Sequence, residues 1–149
     1  MNPMTKPEIK IRPFQADDEN GVIELWAITG LTRPWNDPKQ DIKRALSVQP
    51  ELFLVAVNKT RVIGSAMGGY DGHRGAVYYL AVHPDCQGNG IGTRLMQTVE
   101  DRLVDLGCPK IHVMIRETNL ATKHFYEKLE YQDVAVKIYG RRLIADVTS

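Results

Sequence analysis

Val82-His83-Pro84-Asp85-Cys86-Gln87-Gly88-Asn89-Gly90-Ile91-Gly92-Thr93-Arg94-Leu95 sets three glycines at alternate positions. Ahead of it runs an apolar, β-rich stretch, Ala76-Val77-Tyr78-Tyr79-Leu80-Ala81-Val82. Behind it Leu95, Val99, Leu103 and Leu106 recur at helical spacing, with Met96 beside them. The glycines therefore mark a strand turning into a helix. Glycine lets a backbone take φ > 0 and come close to a ligand. The first turn of a helix carries N–H groups with no internal partner, at the positive end of the dipole. The combination is an anion site suited to phosphate. The plainer alternative is a Gly-rich turn that binds nothing.

Known phosphate loops narrow the choice. A Walker A loop needs Gly-Lys-Ser/Thr at its end, and Gly92 is followed by Thr93-Arg94. A Rossmann fingerprint needs G-x-G-x-x-G, which Gly88-x-Gly90-x-Gly92 does not supply. Gln87-x-x-Gly90-x-Gly92 fits Q/R-x-x-G-x-G/A, and so resembles the acyl-CoA pyrophosphate loop of the GNAT acetyltransferase superfamily. Asn119-Leu120-Ala121-Thr122-Lys123-His124-Phe125-Tyr126-Glu127-Lys128-Leu129-Glu130-Tyr131 resembles a second motif of the same family, N-x6-Y-E-x-L-G-F/Y. Two motifs in the right order are more specific than either alone, and the resemblance runs from about Ile9 to Tyr131. Arg33-Pro34-Trp35-Asn36-Asp37-Pro38 and the segment from Met67 to Gly75 look more specifically like the small bacterial YpeA-type acetyltransferases. One position departs from the pattern: Glu130 stands where the family usually has glycine, a residue suited to a left-handed helix end.

The bulk numbers agree with a globular domain. A chain of 149 residues forms one domain with a proper core. Apolar residues make up 43% and charged residues 25%, ordinary values for such a domain. A net charge of +1 gives no reason to expect a nucleic-acid partner. No apolar run approaches the roughly 20 residues of a membrane span, and Met1–Pro7 lacks the apolar core of a secretory signal. Cys86 and Cys108 are too few for a disulfide framework or a zinc site and fit a reducing cytoplasm.

Along the chain, Ile9–Phe14 alternates as a half-buried strand. Asp17 or Asp18 can cap a helix with Val22, Leu25, Trp26 and Thr29 on one face, stopped by Gly30. A second helix is expected over Pro38–Ser47, with Pro38 in its first turn. Strands follow at Leu52–Val57, Val62–Met67, Ala76–Val82 and Ile111–Ile115, and a helix from Asn119 to about Leu129. Tyr131–Tyr139 and Arg141–Val147 read as a closing hairpin around Gly140. The order predicts an α/β (α+β) domain with a mixed, mainly antiparallel sheet of about six to seven strands flanked by about four helices. The resemblance adds that the central strands splay.

The resemblance implies roles. The backbone of Leu80, Ala81 and Val82 would carry the pantetheine arm of acetyl-CoA, with the Val82 N–H polarising the thioester carbonyl. Gln87, Gly88, Asn89, Gly90, Ile91, Gly92 and Thr93 would hold the pyrophosphate. Arg94 either adds charge at the 3′-phosphate or is a solvated helix residue. Tyr126 would protonate the departing thiolate, being a phenol of similar basicity, or else is simply a packed tyrosine. Asn119 would cap its helix and touch the pantetheine. Ribosomal-protein N-terminal acetyltransferases of this superfamily carry a glutamate as base on the strand before the Asn motif; the matching Met114 cannot act, which leaves Glu117, Tyr79, Tyr78, His112 and Asp71. Arg33, Trp35, Tyr70 and Tyr79 are the expected acceptor-site residues, with Asn36, Asp37, His73 and Arg74 nearby. Arg33, His73 and Arg74 would suit a carboxylate-bearing acceptor.

The expectation is a cytoplasmic acetyl-CoA-dependent N-acetyltransferase, one domain over residues 1–149, that acts on a primary amine of a small molecule or peptide by direct attack. No metal, nucleic acid or membrane is expected, and the exposed edge strands of the C-terminal hairpin suit a homodimer. The alternative is a non-catalytic acyl-CoA sensor. A nucleotide-binding or structural domain is the third reading.

Overall fold

A computed structural model describes residues 8–146. Met1–Pro7 and Val147, the last residue of the expected hairpin, lie outside the described residues. The elements run β1 (Ile9–Pro13), α1 (Glu19–Ile28), α2 (Pro38–Val48), β2 (Phe53–Asn58), β3 (Arg61–Tyr70), β4 (Gly75–Val82), α3 (Ile91–Asp105), β5 (Ile111–Val113) and α4 (Leu120–Lys128). The five strands lie in sequence order, antiparallel from β1 to β4, with β5 added parallel to β4. The mixed, mainly antiparallel sheet and its four α-helices are as the sequence predicts, with fewer strands.

Alternation within the strands builds a core on both faces. In β2, Leu54 and Ala56 join Leu95, Met96, Val99 and Tyr126 from α3 and α4. Their neighbours Phe53, Val55 and Val57 join Val22, Leu25, Trp26 and Ile42 from α1 and α2. A strand buried on both faces reads as an unbroken apolar run, and Phe53–Val57 is one. At the turn from β1 into α1, Arg12 donates both guanidinium arms to Asp18, at 2.7 and 3.0 Å. Burial alone would raise the Asp18 carboxyl; the Arg12 bonds and the Gln15 N–H hold it below its ordinary value instead. Asp37 caps α2 by accepting from the Lys39 N–H, and Pro38 fills the first position, where no N–H is needed.

Two expectations need correction. The closing hairpin is not present: residues 129–146 hold neither helix nor strand, which brings the sheet to five strands among the described residues. The apolar alternation there supplies strand propensity, but a strand also needs a paired edge, and no strand among the described residues pairs with this segment. Leu106, expected on the inner face of α3, sits at its C-cap and is 47% exposed, because the helix ends before completing that turn.

Glu130 takes the left-handed conformation that favours glycine, with φ 70°. A side chain there costs about 1–2 kcal/mol. Glu130→Gly should therefore stabilise the fold by about 1 kcal/mol after glycine's own entropic cost. In a thermal melt this appears as a Tm about 2–4 °C higher; an unchanged or lower Tm would mean that Glu130 makes a compensating interaction.

Candidate functional site

The site begins with a break in the sheet. β5 pairs with β4 only from Gly75 to Val77, opposite Ile111 to Val113. Beyond that the parallel strands part. At the same place β4 gains a residue relative to β3: Ser65 opposes Ala81, but Met67 opposes Tyr78. The bulge is centred on Tyr79, whose φ is 53°, a strained value for a bulky residue. Bulges bend a strand and turn its side chains.

Three contacts hold that strain. The Tyr79 ring stacks on Trp26 with centroids 3.8 Å apart and planes 11° from parallel. Ser65, fully buried, accepts from Trp26 Nε1 at 2.9 Å and donates to the Tyr79 carbonyl at 2.7 Å. The Tyr79 hydroxyl donates to Asp41 Oδ2 at 2.7 Å. Burial first, and then the Asp41 bond, push the Tyr79 phenol far above its ordinary value. It is a fixed donor, which removes it from the set of candidate bases.

Past the bulge the His83 N–H donates to Ile63 on β3. By alternation Ala81 also faces β3, while Leu80 and Val82 direct their backbone groups into the gap. The Val82 carbonyl already turns that way, accepting from Gln87 Nε2 at 3.3 Å.

The loop that follows is braced from within. His83 Nδ1 accepts from the Asp85 N–H at 3.1 Å, and Asn89 Nδ2 donates to the Cys86 carbonyl at 3.1 Å. Asn89 thus shapes the loop with its side chain. Gly90 precedes α3 in the left-handed region, with φ 74°, and no side chain caps the helix. No acidic residue sits in the first turn, so the N–H groups of Ile91, Gly92 and Thr93 face outward at the positive end of a 15-residue helix. The Ile91 side chain is buried, leaving its backbone for the loop. Gly92 serves packing: a Cβ there would lie 3.3 Å from the Phe125 ring of α4. Arg94 donates to the Ile9 carbonyl at 3.1 Å.

On α4, Asn119 caps the helix by accepting from the Thr122 N–H at 3.1 Å. Tyr126 is 5% exposed, between α3 and the sheet. Its hydroxyl reaches Met96 Sδ at 4.0 Å, a weak acceptor that leaves the proton uncommitted. Burial pushes this phenol up to about 12, so it stays protonated at neutral pH.

A cleft of about 600 Å³ opens beside the gap, on the α1–α2 side of β4. Arg33, Asp41, Arg44, Tyr78, Tyr79 and Arg116 supply its polar lining. Of the expected acceptor residues, Arg33 and Tyr79 are among its lining residues and Trp35 and Tyr70 are not. Trp35 is 56% exposed on its loop. Tyr70 donates its N–H to Gln49 Oε1 and packs toward the core. Asp71, His73 and Arg74 form the β3–β4 turn, where the Asp71 carboxylate accepts from the His73 and Arg74 N–H groups. His112 lies on β5 opposite Ala76, and Glu117 and Met114 are exposed.

Asp41, Arg44 and Arg116 were not expected from the sequence. The available signal was the i,i+3 pair Asp41–Arg44 on α2, joined at 3.2 Å. Nothing local could have found Asp146. It accepts from Arg44 Nη2, from Arg142 Nη2 at 3.0 Å and from the Asp37 N–H at 2.8 Å. The Arg44 bond foremost, with the Asp37 N–H and Arg142, holds its carboxyl well below the usual range.

Comparison with known proteins places this geometry. Residues 20–131 match the model of the acetyltransferase (GNAT) family. An acetyltransferase of Pectobacterium atrosepticum is 53% identical over 138 residues, covering 93% of this chain and 98% of its own. Among solved structures, a transcriptional regulator from Bacillus halodurans superposes with a TM-score of 0.77 at 18% identity, over 91% of this chain and all of its own. AAC(6')-Iy, solved with the bisubstrate analogue CoA-S-monomethyl-acetylneamine, gives 0.75 at 15% identity, over 92% of this chain and 99% of its own. At these identities the structural likeness is one of fold. No group of His, Cys, Asp and Glu among the described residues could hold a metal ion, and no described helix is long and apolar enough to cross a membrane.

Ser65→Ala would orphan the Trp26 N–H and the Tyr79 carbonyl together, at a cost of about 2–3 kcal/mol. The expected fall in Tm is roughly 5–10 °C. A change of under a degree would show that the bulge does not depend on Ser65.

Proposed function

The chain belongs to the acetyltransferase (GNAT) family, and from that premise we propose that residues 1–149 form one acetyl-CoA-dependent N-acetyltransferase domain that acts on a primary amine of a small molecule or peptide. The observation that carries the reading is the parting of β4 and β5 after Val77. The gap, edged by the backbone of Leu80 and Val82, runs on into the uncapped start of α3. An extended amide-bearing arm ending in a pyrophosphate matches both halves of that surface.

Bound there, acetyl-CoA supplies an acetyl group on a thiolate leaving group. The residues do the rest. Gln87 to Thr93 hold the pyrophosphate, chiefly through N–H groups. Leu80 and Val82 pair with the pantetheine amides, Ala81 packs behind them, and Asn119, at the cap of α4, would touch the pantetheine. The Val82 N–H is the donor for negative charge on the carbonyl oxygen. The amine nitrogen forms the new C–N bond as the C–S bond breaks. Tyr126 gives its proton to the sulfur, and the proton shed by the ammonium restores the phenol through solvent.

The lining residues favour a particular acceptor. Asp41 is the carboxylate among them, fixed by Tyr79 and Arg44, and it suits the incoming ammonium. Arg116 lines the cleft without a side-chain partner among the described residues, and Arg33 stands beside the same space. Two guanidinium groups facing one carboxylate suit an amine that also bears a carboxylate. Arg116→Gln should raise KM for such an amine about tenfold or more while leaving KM for acetyl-CoA unchanged. Equal activity on amines lacking the carboxylate would discard this acceptor class.

The donor site is tested by thermal unfolding with acetyl-CoA, CoA, NAD and ATP side by side. Ligand at about 100 times Kd stabilises by roughly 2.7 kcal/mol, which raises Tm by about 5–10 °C here. A rise with the CoA species alone is expected; no rise with either would end the acetyltransferase reading. Tyr126→Phe should keep that rise and lower kcat about tenfold or more. Wild-type kcat in that variant would remove Tyr126 from the acid role. Binding without transfer to any amine would mark an acyl-CoA sensor.

A further inference from the structure

One face of α2 lines the cleft: Asp41, Arg44, Ala45 and Val48, spaced i, i+3, i+4 and i+7. This stripe changes character along its length. Its first half is charged, with Asp41 and Arg44 paired at 3.2 Å. Its second half is apolar and ends on Val48, 73% exposed, about 10 Å along the axis from Asp41. Met67 and Gly69 of β3 and Tyr78 of β4, itself 51% exposed, line the same space from the sheet. Gln49, just past α2, ties helix and sheet together by accepting from the Tyr70 N–H at 2.7 Å. The cleft thus has a charged end and an apolar end, and large apolar side chains stand open to water in it.

Nothing in the fold requires Gly69 to be glycine. Its φ is not positive. Its register is regular, opposite Ala76, so it serves no bulge. A Cβ built on it would meet Gln49 Oε1 at 3.6 Å, an ordinary contact, and nothing nearer. Gly68 differs: a Cβ there would lie 3.2 Å from the Leu52 carbonyl oxygen and from Val99 of α3. Gly68 therefore faces α3, and by alternation Gly69 faces α2 and the cleft. Glycine inside a strand weakens it, and where neither bulge nor packing explains it, it marks the close approach of a ligand. Ala76 beside it is small too, so this part of the sheet carries almost no side chain.

We propose that Val48, Gly69 and Tyr78 form a side-chain subsite, and that the acceptor is an α-amino acid with a large apolar or aromatic side chain. This rests on the acetyltransferase reading above and names its substrate. The ammonium goes to Asp41 and the carboxylate to Arg116, while the side chain lies over Gly69 between Val48 and the Tyr78 ring. Burial there removes apolar surface of both partners from water, and a charged side chain would find itself desolvated without a partner. Transfer forms the bond from the α-nitrogen to the acetyl carbon and breaks the C–S bond. The products are the N-acetyl amino acid, the CoA thiol and one proton.

Initial rates on glycine, alanine, leucine, phenylalanine and glutamate at saturating acetyl-CoA test this. In the wild type kcat/KM for leucine and phenylalanine should exceed that for alanine about a hundredfold, with glutamate no better than alanine. Gly69→Val, which fills the subsite, should cut the preference for phenylalanine over alanine about tenfold or more, through KM. Val48→Ser, at an exposed helix position, should cut it about fivefold with the fold kept. Gly69→Ala should melt no lower than the wild type; a fall of several degrees would give Gly69 a structural role and remove it from the subsite. Equal use of alanine and phenylalanine, or a preference that survives both Gly69→Val and Val48→Ser, overturns the proposal while the acetyltransferase reading stands. Transfer to other amines but to none of these amino acids does the same. No rise in Tm with acetyl-CoA or CoA ends both. If Gly69→Val fails to fold, the wild-type profile and Val48→Ser decide the matter.

Discussion

The stack of Trp26 on Tyr79, with Ser65 bonded to both, is the constraint on which the rest of the site depends. It holds a tyrosine at φ 53° in the middle of β4. A bulge so placed bends the strand and increases its twist. The strand leaves its parallel neighbour at that point, so that only three residue pairs join β4 to β5. The gap therefore follows from packing on the α1–α2 face of the sheet. Strain at Tyr79 is tolerated because the buried aromatic contact and satisfied polar groups outweigh it.

The same bulge links the gap between β4 and β5 to the cleft beside it. Its backbone turns Leu80 and Val82 toward the gap, and its side chain reaches out to Asp41 on α2. The backbone edging the gap and the carboxylate lining the cleft are thus set by one residue. A second chain of contacts runs from Asp41 through Arg44 to Asp146, near the end of the described chain. Charges in that network are paired, and each carboxylate accepts from more than one donor, which fixes their orientation at the rim of the cleft.

The loop before α3 works on a different principle, being almost wholly backbone. Its side chains are spent on bracing it, as with Asn89 and His83, or on packing, as with Ile91. What faces outward is the start of an uncapped helix. Gly92 shows how one motif position can serve two purposes: the residue type belongs to the phosphate-loop pattern, while its missing side chain makes room for Phe125.

The sequence alone determined the features that depend on neighbours along the chain. The strand-to-helix turn at Gln87–Gly92, the proline start of α2, the Asn119 cap and the doubly buried β2 run each follow from local backbone chemistry and periodicity. The family, the mixed sheet and the likeness of both motifs came with them. The tertiary structure decided what rests on distant partners. Trp26 and Ser65 are 39 residues apart, Asp41 and Tyr79 are 38 apart, and Asp37 and Asp146 are 109 apart. No periodicity encodes such meetings, so neither the bulge, nor the meeting of Asp41 with Tyr79, nor the C-terminal clasp is legible in the sequence. The expected closing hairpin failed for the same reason: Val134, Val136 and Ile138 specify a strand, but only the three-dimensional arrangement decides whether an edge lies within reach to pair with it.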